Sequence, residues 1–139
     1  MCNSDVLWSN ASTPWQDVPA LLRTHCAVIN DKLLRSTPLH AAAYALWAIN
    51  WVHPFGDGNG KTARAIMYAI LCVGYGRMLP GEPAIPDLIS RNPYTYVDAL
   101  RAAHRAWERG VVDVEEVEML LFDLLKQVIP EDEFSAEEQ

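Results

Sequence analysis

Residues 41–67 read AAAYALWAINWVHPFGDGNGKTARAIM, and the fold turns on this stretch. Ala41 to Val52 is an apolar run interrupted only by Asn50, and its alanine content favours a helix over a strand. It is too short to span a bilayer. Pro54 and the three glycines Gly56, Gly58 and Gly60 then break the helical pattern. Ala63, Ile66, Met67, Ile70 and Leu71 follow, spaced three and four apart, so a second helix begins just after the break.

Working outward, the rest of the chain is helical too. Asp17-Val18-Pro19 predicts a helix start with proline in the first turn, running to about Leu34. Ser36-Thr37-Pro38 starts the helix that carries Leu39, Ala43, Leu46 and Asn50 along one stripe. Gly74 and Gly76 end the helix after the loop. Arg77 to Asn92 is rich in proline and glycine and holds at most one short helix near Asp87. Pro93 opens a helix with Val97, Leu100, His104 and Trp107, closed by Gly110. Asp113 and Glu116 have capping-box spacing ahead of an amphipathic face of Val114, Val117, Leu121, Leu124 and Val128. The expectation is an all-α bundle, with an anion-binding loop between its two central helices. It divides into an N-terminal segment 1–16, a helical domain 17–129 and a frayed acidic tail 130–139.

The chain has 139 residues, enough for a single core, and half of them are hydrophobic. Its formal net charge is −7 with no basic stripe, which argues against a nucleic-acid surface. Phosphate affinity must therefore come from a local site. Cys2, Cys26 and Cys72 form neither a disulfide framework nor a zinc pair, and Cys26 and Cys72 read as small core residues. Without a signal peptide or a membrane span, a cytoplasmic protein is expected.

The loop supplies that local site. A glycine-rich turn entering a helix aims backbone N–H groups at one spot, where the helix dipole favours negative charge. Lys61 and Arg64 lie three apart on the first turn and add two cations, which suits a polyphosphate better than one carboxylate. A P-loop is ruled out: it needs a glycine where Phe55 stands and a strand where Ala41 to Val52 reads as helix. A metal hydrolase built on His53 and Asp57 has too few ligands. Taken alone, His53 reads as a buried structural histidine and Asp57 as a helix cap.

The segment His53-Pro-Phe-Gly-Asp57-Gly-Asn59-Gly-Lys61-Thr-Ala-Arg64 resembles the signature of the Fic family, H-P-F-x-(D/E)-G-N-G-(R/K)-x-x-R. Val18-Pro19-Ala-Leu-Leu, Pro38-Leu-His-Ala-Ala-Ala, Gly74-Tyr75 and Tyr96-x-x-Ala99-Leu100 look like its flanking helices, so the likeness covers roughly residues 17 to 128.

The resemblance implies a protein adenylyltransferase (AMPylase), which moves AMP from Mg-ATP to a Ser, Thr or Tyr hydroxyl of a target protein. His53 would be the general base, a role that suits histidine as a residue type because the free imidazole titrates near working pH. Asp57 would hold Mg²⁺ against the phosphates. Gly58, Asn59 and Gly60 would form the anion hole, and Lys61 and Arg64 would bind the β- and γ-phosphates. Gly60 favours AMP transfer over the phosphate transfer of Doc-type kinases, which resemble members carrying lysine there. Phe55 would anchor the loop to the core, and Tyr96 and His104 would fall near an adenine pocket or simply pack.

The resemblance also implies a β-hairpin flap for target docking, of which residues before Asp17 hold at most a fragment such as Asp5-Val-Leu-Trp8. No stretch matches the inhibitory motif (S/T)-x-x-x-E-(G/N); Ser135 comes nearest, with Gln139 in the glutamate's place. Inhibition would then come from a partner antitoxin or another segment. The same loop serves removal of AMP, or transfer of another phosphate-linked group, because an anion hole reads phosphates and not the leaving group. A remnant that binds nucleotide or a partner without turnover is the remaining alternative.

Lys61 stands where the family usually has arginine, and a lysine ammonium grips phosphate as a point charge and not as a planar fork. Lys61→Arg is expected to raise AMP transfer severalfold, on the order of 1 kcal/mol for one further charge-assisted hydrogen bond. Lys61→Met should cost considerably more. Steady-state kinetics of both variants checks the order.

Overall fold

A computed structural model describes residues 13–133. It contains six principal helices: α1 (Val18–Arg35), α2 (Pro38–Val52), α3 (Asn59–Tyr75), α4 (Ile85–Arg91), α5 (Pro93–Glu108) and α6 (Glu115–Val128). No strand occurs among the described residues, and the all-α expectation holds. None of these helices is long and apolar enough to cross a membrane. The possible flap fragment Asp5–Trp8, Cys2, and Ser135 to Gln139 lie outside the described residues.

The central element is α2. Its Thr37 cap accepts a hydrogen bond from His40 N, and Pro38 occupies the first helical position, where its missing N–H costs nothing. Every residue from Ala41 to Asn50 is buried. The sequence pattern suggested a single stripe; the run of alanines instead lets neighbours approach from all sides, as an all-round apolar helix requires. α1, α3, α5 and α6 all pack on α2.

Several local expectations need correction. Gly76 ends α3 in a left-handed conformation (φ 72°), but Gly74 lies inside the helix. A Cβ on Gly74 would sit 2.3 Å from Pro38 Cβ, so this glycine permits the close crossing of α3 and α2. Asp113 does not form a capping box: its carboxylate accepts from Glu115 N at 3.0 Å, one residue ahead of the Val114 cap. Cys26 is exposed on α1, and only Cys72 packs partly against the core. The start of the acidic tail is a helical turn at 131–133, with Glu133 ion-paired to Arg77, so it is not frayed there.

Two polar groups of contacts join the helices. Lys32 Nζ on α1 donates to His40 Nε2 on α2 at 2.7 Å. His40 Nδ1 therefore carries the proton that bonds to Glu118 on α6. Further along the same face of α2, Trp47 is fully buried among the rings of His25, Tyr44, Trp51 and Trp107, with centroid separations of 5.6–6.3 Å. His25 is itself buried and shares a 2.7 Å hydrogen bond with the Tyr44 hydroxyl.

Burial pushes the His25 pKa down from 6.5 and the Tyr44 phenol up to about 12. Because the folded state disfavours protonated His25, that contribution to stability is complete above the ordinary histidine value and is lost as pH falls below it. The melting temperature should therefore drop between about pH 7 and about pH 5 more steeply in the parent chain than in His25→Gln. Parallel melting curves across that window would exclude His25 as the cause.

Candidate active site

The site is built where α2 stops and α3 starts. His53 is the C-cap of α2 and sits at φ 53°, ψ 58°, the one non-glycine residue with positive φ among those described. A left-handed histidine is held against a local preference of about 1–2 kcal/mol. The surroundings impose it: His53 N still donates to Ile49 O at 3.0 Å, while Pro54 forces the chain to turn away. The half-buried imidazole has its Nδ1 shut away from solvent with no hydrogen-bond partner among the described residues. Buried polar atoms are rarely left in that state unless a ligand, water or reactant completes them.

The loop is closed by one side chain. Asn59, 1% exposed, accepts from Phe55 N at 2.8 Å and donates to Phe55 O at 2.7 Å. An amide pairing with both polar groups of one residue fixes the 55–59 turn as a backbone pair would. The Phe55 ring, by contrast, is 50% exposed, so the expected core anchor is the peptide of Phe55 and not its ring. Gly58 follows at φ 82°, a conformation side-chain-bearing residues rarely adopt, and caps α3.

The first helical bond of α3 runs from Thr62 N to Gly58 O at 3.0 Å. The N–H groups of Asn59, Gly60 and Lys61 consequently have no carbonyl to meet and point out of the helix start. Asn59 and Gly60 are buried there, and Lys61 is exposed. Arg64, one turn on, is 5% exposed and lies 6.0 Å from the centre of the Tyr96 ring on α5. Tyr96 is held in turn: its hydroxyl accepts from Asn50 Nδ2 at 2.8 Å, and the same amide donates to Leu46 O at 2.7 Å. Tyr96 is thus a buried support beneath Arg64, 1% exposed, and not an open pocket wall. Asn50 is the residue that sequence reasoning passed over. Its signal was a lone polar side chain in an apolar run, which must find partners.

Asp57 is exposed, and one carboxylate oxygen accepts from Gly58 N at 2.9 Å. Among the described residues no group of three His, Cys, Asp or Glu side chains is placed to hold a metal. A resident metal does not fit this donor set. A magnesium ion brought in with phosphates and water would suit it better, and the free oxygen of Asp57 would be the group to hold it. His104 lies apart, beside Trp51 at 6.4 Å between ring centres and 3.2 Å from the Glu108 carboxylate.

The sequence profile of the Fic/DOC family matches residues 6–71, just under half of the chain, so this segment is similar to that family. It is 37% identical over 76 residues to a Fido domain-containing protein of Dictyostelium discoideum, covering 55% of this chain and 48% of that protein. It is 43% identical over 58 residues to a protein adenylyltransferase Fic of Nematostella vectensis, covering 38% of this chain and 14% of that one. The chain thus spans about half the length of the first relative and about a seventh of the second. No solved structure gives a significant match.

Loss of the Asn59 clamp should open the turn. Asn59→Ala is expected to lower stability by about 1–2 kcal/mol for two part-buried backbone groups that lose their partner, with faster amide exchange at Phe55. Asn59→Asp should do no better, since it accepts from Phe55 N but faces Phe55 O with a negative charge. Chemical denaturation and hydrogen exchange on both variants measure this; parental stability in either would show that the clamp contributes nothing.

Proposed function

We propose that this chain carries the catalytic centre of a protein adenylyltransferase, which transfers AMP from ATP to a hydroxyl of a target protein. The observation that supports this most directly is a juxtaposition. A half-buried histidine with an unpartnered ring nitrogen is joined by one five-residue turn to a helix start whose first three N–H groups lack helical partners, with Lys61 and Arg64 on the first turns behind it. The name of the Nematostella relative points the same way.

In this reading the polyphosphate lies across the start of α3. The N–H groups of Asn59, Gly60 and Lys61 receive oxygens of the α- and β-phosphates, where the helix dipole and fixed donors stabilise the charge that develops there. Lys61 and Arg64 bind the departing pyrophosphate. His53 accepts the proton of the target hydroxyl as its oxygen forms a bond to the α-phosphorus and the bond to the β-phosphate oxygen breaks. Magnesium, held by Asp57 and the phosphates, would supply further charge neutralisation. The closed turn keeps the donors in place before the nucleotide arrives, so little reorganisation accompanies the reaction.

The test is incubation of the purified chain with α-labelled or γ-labelled ATP beside a cell lysate. Protein labelled from the α-phosphate alone is the expected result; label from the γ-phosphate would mean a kinase. No label from either would leave a nucleotide-binding domain without turnover. His53→Ala should lower transfer by about 10²–10⁴-fold, the usual contribution of a general base. Calorimetry on the same variant should show Mg-ATP affinity nearly unchanged. Transfer close to that of the parent chain would remove His53 from the role.

A further inference from the structure

A cavity of about 410 Å³ lies between α3 and α4, beside the anion site. Its α3 wall carries Lys61, Arg64 and Tyr68, and its α4 wall carries Asp87 and Ser90. The two cations make this the natural extension of the phosphate site. The remaining polar groups have the opposite character. Tyr68 spends its proton on Leu79 O at 3.0 Å, and Ser90 spends its proton on Pro86 O at 3.1 Å. Each hydroxyl therefore offers the cavity only lone pairs. Burial pushes the Tyr68 phenol up, with the neighbouring Cys72 thiol adding to the shift, so this proton is retained. Asp87 is exposed and, among the described residues, is not ion-paired with Lys61, Arg64 or Arg91. The cavity thus has two cations on one side and an acceptor-only group of Asp87, Ser90 and Tyr68 on the other.

A bare polyphosphate satisfies only half of such a cavity. Its oxygens are also acceptors, and Asp87 repels them. Waters bound to a divalent ion are strong donors, and the ion cancels part of the tail's charge. We propose that the acceptor wall formed by Asp87, Ser90 and Tyr68 receives the hydrated metal face of a metal–polyphosphate complex, with Asp87 the residue that selects this complex over the metal-free tail. The proposal rests on the placement of the polyphosphate at Lys61 and Arg64 given above. Asp87 acts here as a specificity-determining residue, on the wall of the cavity that faces the two cations.

Inorganic tripolyphosphate is the probe, titrated calorimetrically into the full chain with magnesium and again with a chelator. The parent chain should bind the magnesium complex more tightly than the free anion. Asp87→Asn should shrink that ratio at least about fivefold, partly by tightening the metal-free complex, because removing one negative charge helps the more highly charged ligand most. Asp87→Glu should restore the ratio. Ser90→Ala, which removes one acceptor and no charge, should shrink it less. An unchanged ratio in Asp87→Asn, or equal shifts for both ligand forms, would overturn the proposal, as would a parent chain that binds neither form. Should Asp87→Asn fail to fold, the Ser90→Ala ratio decides alone. A shifted ratio in a chain that never labels protein with AMP would sink the transfer reading and keep Asp87. Intact AMP transfer with an unmoved ratio would do the reverse.

Discussion

The rest of the molecule depends on the unbroken burial of α2 from Ala41 to Asn50. A helix enclosed on every side has satisfied its own backbone polar groups and needs only apolar neighbours, which its alanines and Trp47 admit closely. Four helices pack on it, and they hold its C-terminal end still. That end is His53. The left-handed backbone there is tolerable because α2 cannot shift to relax it, and the histidine leaves the core in a fixed direction.

The same rigidity carries across the loop. Between two anchored helices the chain has five residues, 54–58, in which to reverse, and Asn59 closes that reversal from inside. The donors at the start of α3 are therefore positioned by packing and not by the ligand. This matters for a protein whose formal charge is −7. Its overall field opposes an incoming anion, but beyond about 8 Å physiological salt screens most of that field. Any attraction for an anion must then come from the few groups around residues 58–64.

The sequence made the helices legible because proline and glycine bracket them: Pro38, Pro93, Gly76 and Gly110 fall at or beside the boundaries found. Residues 54–58 form the single turn between α2 and α3 that Pro54 and the glycines implied. What could not be read was mostly nonlocal. Gly74 looked like a helix terminator because its partner, Pro38, is far away in the chain. Phe55 looked like an anchor because an aromatic ring usually is one; here its peptide is held and the ring is left outside. The all-round burial of α2 was hidden because periodicity detects one face and an alanine-rich helix has no polar face to set against it. Asn50, Tyr96 and Arg64 form a vertical stack through three helices that no local pattern encodes.

That stack divides the site unequally along the chain. The family profile stops at residue 71, yet the support of Arg64 comes from Tyr96 and the wall facing Lys61 comes from α4. The two cations thus stand in one contiguous segment, while the residues that support and face them, Asp87, Ser90 and Tyr96, come 23 to 32 positions after Arg64, in a part of the chain the profile does not reach. Grafting residues 53–64 into another helical scaffold would transplant a binding charge without its seat. Conversely, two chains sharing every letter of that segment can differ in what they accept, because substitutions in α4 and α5 leave the signature untouched.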